Sequence, residues 1–153
     1  MPRPAPLRLT ASTPEGLALV SAAAQDGLVK ASDIAFDANR RRFSFEMNRF
    51  QWENAGERGP YFRARAILAF DTVLSVKTRG MPPRGDDEVL ALLSAVFEPG
   101  DEAPAGGLRL SFAGGAEIML DVECVDATLI DGDKIWPTRR KPDHDKRQQD
   151  GAL

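Results

Sequence analysis

The chain has 153 residues, 42% hydrophobic and 28% charged, with a formal net charge of −3. That length suits one domain burying roughly 70% of the surface its unfolded chain would expose, and the composition excludes a wholly disordered, collagenous or membrane-spanning polypeptide. A single cysteine, Cys124, and a single histidine, His144, exclude an internal disulfide and leave almost nothing for a structural zinc, so no cofactor or metal is expected.

Residues 1–6 alternate with prolines and are expected to be a disordered leader. Leu7-Arg-Leu-Thr alternates as a short strand. Ser12-Thr-Pro-Glu then offers a hydroxyl cap three residues before a glutamate, with a proline in the first turn. Leu17, Val20, Ala24 and Leu28 fall at three- and four-residue steps, predicting a helix with one apolar face and Gly27 near its end. Gly16 to Ala24 is too interrupted for a signal peptide and follows Glu15, and no run approaches the ~18 apolar residues of a membrane span. A cytoplasmic location is expected.

Beyond the helix the period becomes two. Ile34 and Phe36, the turn-forming Asp37-Ala-Asn-Arg, and then Phe43, Phe45 and Met47 read as a hairpin. Phe50 and Trp52 take the opposite parity, which predicts a bulge or strand end near Asn48-Arg49. Asn54 to Pro60 reads as a loop. Phe62, Ala64, Ala66, Leu68 and Phe70 share one strand face and Arg63 and Arg65 the other; Asp71-Thr72 turns into a strand over Val73 to Thr78. Arg79 to Asp87, with two adjacent prolines, reads as an exposed loop. Val89 to Phe97 fits helix and strand spacing alike and is taken as strand because it is short and runs into Glu98-Pro-Gly. Leu108, Leu110 and Phe112 face Ile118, Leu120 and Val122 across Ala113-Gly-Gly-Ala, the clearest hairpin. Alternation continues toward Leu129.

These segments predict an α+β, β-rich fold: a strongly bent antiparallel sheet or partly open barrel of about eight strands with one N-terminal helix packed on it. Residues 7–136 form the expected single domain, followed by a charged, disordered tail over 137–153.

Charge is segregated along the chain. Arg40 to Arg65 holds seven arginines against three glutamates, Glu98 to Asp133 nine acids against one arginine, and Lys134 to Asp150 six bases against three acids. Such asymmetry suits a charged partner, a second copy of the chain included, although solvated faces that keep the protein in solution are the favoured reading. In Asn48-Arg-Phe-Gln-Trp-Glu two aromatics interleave with Arg49, and Arg63 and Arg65 belong to the next strand. Asn48, Arg49, Trp52, Arg63 and Arg65 are therefore the candidate binding residues, since arginine forks and aromatic platforms hold anions or stacked bases. The alternative is that Phe50 and Trp52 are core and Arg49 pairs with a nearby glutamate. An acidic balance and the lack of repeated basic-aromatic pattern disfavour nucleic acid. Glu117, Asp121 and Glu123 share one strand parity and read as a solvent face rather than a calcium site. Cys124 continues the apolar parity and is expected to be buried and inert.

Taken in order, Asn48-Arg-Phe-Gln-Trp-Glu, Phe97-Glu-Pro-Gly with Ala103-Pro-Ala-Gly, Phe112-Ala-Gly-Gly, Val122-Glu-Cys-Val-Asp-Ala and Lys141-Pro-Asp-His-Asp resemble the domain of unknown function 2948 family of small bacterial proteins, over roughly Leu7 to Asp145. The resemblance implies a single-domain body and no catalytic role, and it makes Pro142-Asp-His-Asp part of the family pattern. Two functions stay open: a binding or adaptor module with a protein or anionic small-molecule partner and no membrane association, or a small hydrolase using Asp143, His144 and Asp145, a histidine flanked by two carboxylates.

Overall fold

Two-residue alternation becomes strands along most of the chain, and the computed structural model describes residues 4–83 and 87–142. Among these residues the elements are β1 (Arg8–Ala11), α1 (Pro14–Ala24), β2 (Leu28–Lys30), β3 (Ile34–Asp37), β4 (Arg42–Phe50), β5 (Tyr61–Phe70), β6 (Val73–Arg79), β7 (Val89–Pro99), β8 (Gly106–Phe112), β9 (Glu117–Val122) and β10 (Ala127–Thr138). All pairings are antiparallel, in the order β1-β10-β5-β4-β2-β7-β8-β9-β6, with β3 also on β4. The bent sheet does not close, leaving β1 and β6 as its end strands and one edge of β3 free. This is the expected β-rich α+β class with ten strands rather than about eight.

The helix begins at Pro14, and Thr13 rather than Ser12 caps it, its Oγ1 accepting a 3.0 Å bond from the Gly16 amide. Leu17, Val20 and Ala24 are buried, which is the face the spacing predicted. Leu28 belongs to β2, a strand the helical spacing concealed. Two residues end α1: Asp26 takes the left-handed conformation (φ 62°), and at Gly27 a Cβ would lie 2.5 Å from Met47 Sδ and 2.9 Å from the Ala24 carbonyl oxygen. Gly27 is therefore required for the close approach of chain to β4.

Phe43, Phe45 and Met47 of β4, Leu68 and Phe70 of β5, and Leu108, Leu110, Phe112, Ile118 and Leu120 of β8 and β9 meet Leu17 and Val20 in one core. Segment 89–97 is strand, as its length indicated, with Val89 still exposed at the edge of the buried run. The β8-β9 hairpin turns through Gly114 and Gly115 at φ 88° and 91°, values that glycine alone adopts without strain.

Two details of the strand ends differ from the alternation. Of the two readings near Asn48-Arg49 the strand end holds and the bulge does not: β4 pairs with β5 from Phe43↔Phe70 to Phe50↔Arg63 without a register shift and stops at Phe50, before a 3-10 turn at Trp52–Asn54. And Cys124 lies past the end of β9 at a bend, half-buried, with its carbonyl accepting a 3.1 Å bond from Thr72 Oγ1. That bend also holds the corner at Asp71-Thr72, where the chain leaves β5 and crosses to the far end of the sheet instead of pairing back. Thr72 has φ 61°, and the Glu123 amide donates to its carbonyl at 3.0 Å.

Candidate binding site

Strict alternation on β4 puts Arg49 on the same face as Phe43, Phe45 and Met47, and there its side chain is completely buried. Burial of a guanidinium is costly without partners, and Arg49 has several. Its Nε and Nη2 donate to the two carboxylate oxygens of Asp131 at 2.9 and 2.7 Å, and Nη1 and Nη2 donate to Glu53 at 2.8 and 2.7 Å. Ala64 and Ala66 of β5 lie between the two strands, and their small side chains leave room for Arg49 to reach across. Burial would lower the Arg49 pKa, but the bonds to Glu53 and Asp131 outweigh it and hold the value above the ordinary one. Burial likewise works to raise Asp131, yet Arg49, the Leu7 amide and Gln51 hold it below the usual carboxylate range.

The same block closes α1. Arg49 Nη1 donates to the Ala23 carbonyl at 3.2 Å and Trp52 Nε1 to the Gln25 carbonyl at 2.8 Å. The last turn of α1 has no basic residue of its own, so β4 and the turn that follows it supply the cation and the donors that a helix C-terminus lacks. The Leu7 amide donates to Asp131 at 2.9 Å, which ties the start of the chain to the same carboxylate.

On the outer face, direct pairing aligns Phe50, Arg63 and Trp136 across β4, β5 and β10. Phe50 is fully buried beneath Trp52, at 4.6 Å between ring centroids, and Tyr61, at 5.9 Å. Arg63 lies 5.8 Å from the Phe50 centroid and donates to the Asn48 carbonyl at 3.0 Å. Arg65 donates to Asn48 Oδ1, Asp33 and Glu46 at 3.1, 3.2 and 2.6 Å. Burial acts to lower its pKa and is outweighed by Glu46 and Asp33, so the value is raised. Trp52 is half-buried, not buried, with Lys141 Nζ 5.9 Å from its centroid.

The five candidate residues are thus neighbours but not one anion-binding face. Arg49 is inside, and Arg65 is already matched by two carboxylates. Pairing within the fold also consumes part of the segregated charge, since Arg49 meets Asp131 and Arg41 meets Glu123. Asp143, His144 and Asp145 lie outside the described residues. Among the described residues no group of three or more His, Cys, Asp or Glu side chains is placed to hold a metal, and no helix is long and apolar enough to cross a membrane.

A cavity the sequence did not reveal opens where the sheet fails to close. The Val73 amide donates to the Arg41 carbonyl at 2.9 Å, joining the start of β6 to the β3-β4 turn. Beyond that contact β3 and β6 part around a cleft of about 680 Å³. Its floor is Phe43 and Ile118, its walls are Ile34 and Phe36 opposite Val76 and Thr78, and its far end is Ala31, Ser32 and Met81 to Pro83. No charged side chain is among these lining residues, and the Ser32 hydroxyl donates to Asp87 at 3.0 Å. Neither β3 nor β6 reads as a site because each is too short and too plain to carry a motif; only their meeting makes one.

A family model described as a protein of unknown function (DUF2948) matches residues 7–144. No curated protein matches the chain.

Proposed function

The chain belongs to the DUF2948 family of proteins of unknown function, which assigns it no chemistry, and we propose that it is a binding module whose ligand enters the cleft between β3 and β6. The observation that carries this reading is the cleft itself: about 680 Å³, within the ~300 to 1,000 Å³ of ordinary ligand sites, with apolar side chains and nearly as much polar surface from hydroxyl and main-chain groups. Among the described residues the lining carries no charged side chain to neutralise a buried anionic small molecule, so an uncharged ligand or a protein segment fits better. A cytoplasmic site of action agrees with the lone cysteine.

The uncharged dye Nile red tests the reading. It is expected to bind the full chain at one saturable site with a gain in fluorescence, and Thr78→Trp, which fills the cleft from β6, is expected to abolish that gain without lowering the melting temperature. Dye binding that survives the substitution, or no binding at all, overturns it.

A further inference from the structure

Phe36 pairs with Phe43, so both face the inside of the sheet, yet Phe43 is 1% exposed and Phe36 38%. Thr78 pairs with Ile118 in the same way, and Ile118 is fully buried while Thr78 is exposed. Inward-facing residues are open to solvent on both sides of the cleft because, among the described residues, no strand lies between β3 and β6. Ligand recognition there has two resources: apolar side chains on alternate positions, and the main chain of two free edges. Those are the groups an extended peptide uses when it joins a sheet. The outward residues of β6 add a sign. Lys77 is exposed, and the Arg79 side chain is 81% exposed even with Glu117 at 3.3 Å. A neighbouring strand with acidic residues beside them gains cross-strand charge pairing.

We propose that the cleft accepts an extended segment of a partner protein, alternating apolar and acidic residues, which pairs with the free edge of β6. Its apolar side chains cover Ile34, Phe36 and Val76 above the floor of Phe43 and Ile118, and its acidic ones lie beside Lys77 and Arg79. This rests on the cleft being the ligand site, and it names the ligand.

The probe is a blocked hexapeptide of alternating valine and glutamate, titrated into the full chain with Nile red bound. It is expected to displace the dye. Replacing glutamate by lysine in the peptide, methylating the peptide amides that face β6, or making K77E with R79E in the protein is each expected to weaken the peptide by at least about tenfold, or ~1.4 kcal/mol. The charge variants keep dye affinity unchanged. If the dye binds but the peptide fails to displace it, or binds equally well when methylated, the peptide proposal falls and the cleft reading survives. If the dye does not bind, both fall. Concentration-dependent dimerisation abolished by Thr78→Trp would assign the cleft to a second copy, and opening of the cleft on removal of residues 143–153 would assign it to the chain's own end; either overturns the proposal.

Discussion

Arg49 and Asp131 share two parallel hydrogen bonds, Nε to Oδ1 at 2.9 Å and Nη2 to Oδ2 at 2.7 Å, with both side chains fully buried. Through them β4, β10, α1 and the residue preceding β1 are held at one point.

Removing one member leaves the other buried and under-matched. Asp131→Asn and Arg49→Gln are each expected to cost about 3 to 5 kcal/mol, read by chemical denaturation. Arg49→Met combined with Asp131→Leu is expected to recover most of that loss, because a buried ion pair is itself expensive to form. A double variant as unstable as the single ones would show that the pair stabilises the fold beyond its own desolvation.

Acid acts on this pair and on Asp126 with opposite signs. Asp131 is held low in the fold, so its contribution is fully present above the ordinary aspartate pKa of about 3.9 and is lost as pH falls through the depressed folded value. Asp126 is exposed, yet partial desolvation and Asp71 raise it, against Arg42, so its ionisation opposes folding and acid relieves it. Asp131→Asn is therefore expected to flatten the acid limb of a stability profile, and Asp126→Asn to steepen it.

Arg65 differs from Arg49 although the sequence treats them alike. Its ion pairs are partly solvated, and Arg65→Gln is expected to cost no more than about 1 kcal/mol in the same denaturation experiment.

Trp52→Phe keeps a ring against Phe50 but loses the bond to the Gln25 carbonyl. A loss of about 1 kcal/mol is expected, with hydrogen exchange accelerated at the end of α1.

Gly27→Ala forces a methyl against Met47 Sδ and the Ala24 carbonyl. The thermal midpoint is expected to fall by the equivalent of about 1 to 3 kcal/mol.

Period two made the sheet legible: the β3-β4 and β8-β9 hairpins and the Arg63 and Arg65 face of β5 follow from which parity is apolar, while the strand at 89–97 followed from its length and the Glu98-Pro-Gly that ends it. The same rule, applied without exception, would have placed Arg49 inside rather than among the candidate binding residues. The aromatics Phe50 and Trp52 suggested otherwise, because residue type competed with position and nothing local announces a buried guanidinium. Its partner Asp131 is 82 residues away. Long-range pairing also hid the route of β6, which follows β5 by a two-residue link yet joins β9, and with it the cleft.

A chain made from its N-terminus meets the consequence of that separation before it folds. At roughly 5 to 20 residues per second, synthesis brings Asp131 out about 4 to 16 s after Arg49. In that interval Phe43, Phe45 and Met47 are followed by a hydrated guanidinium that has Glu53 close in sequence but lacks Asp131. Charge at the end of an apolar strand discourages premature association with other nascent chains. The residue that later lies at the centre of the molecule serves first as a gatekeeper, and the arrival of one carboxylate ends that role.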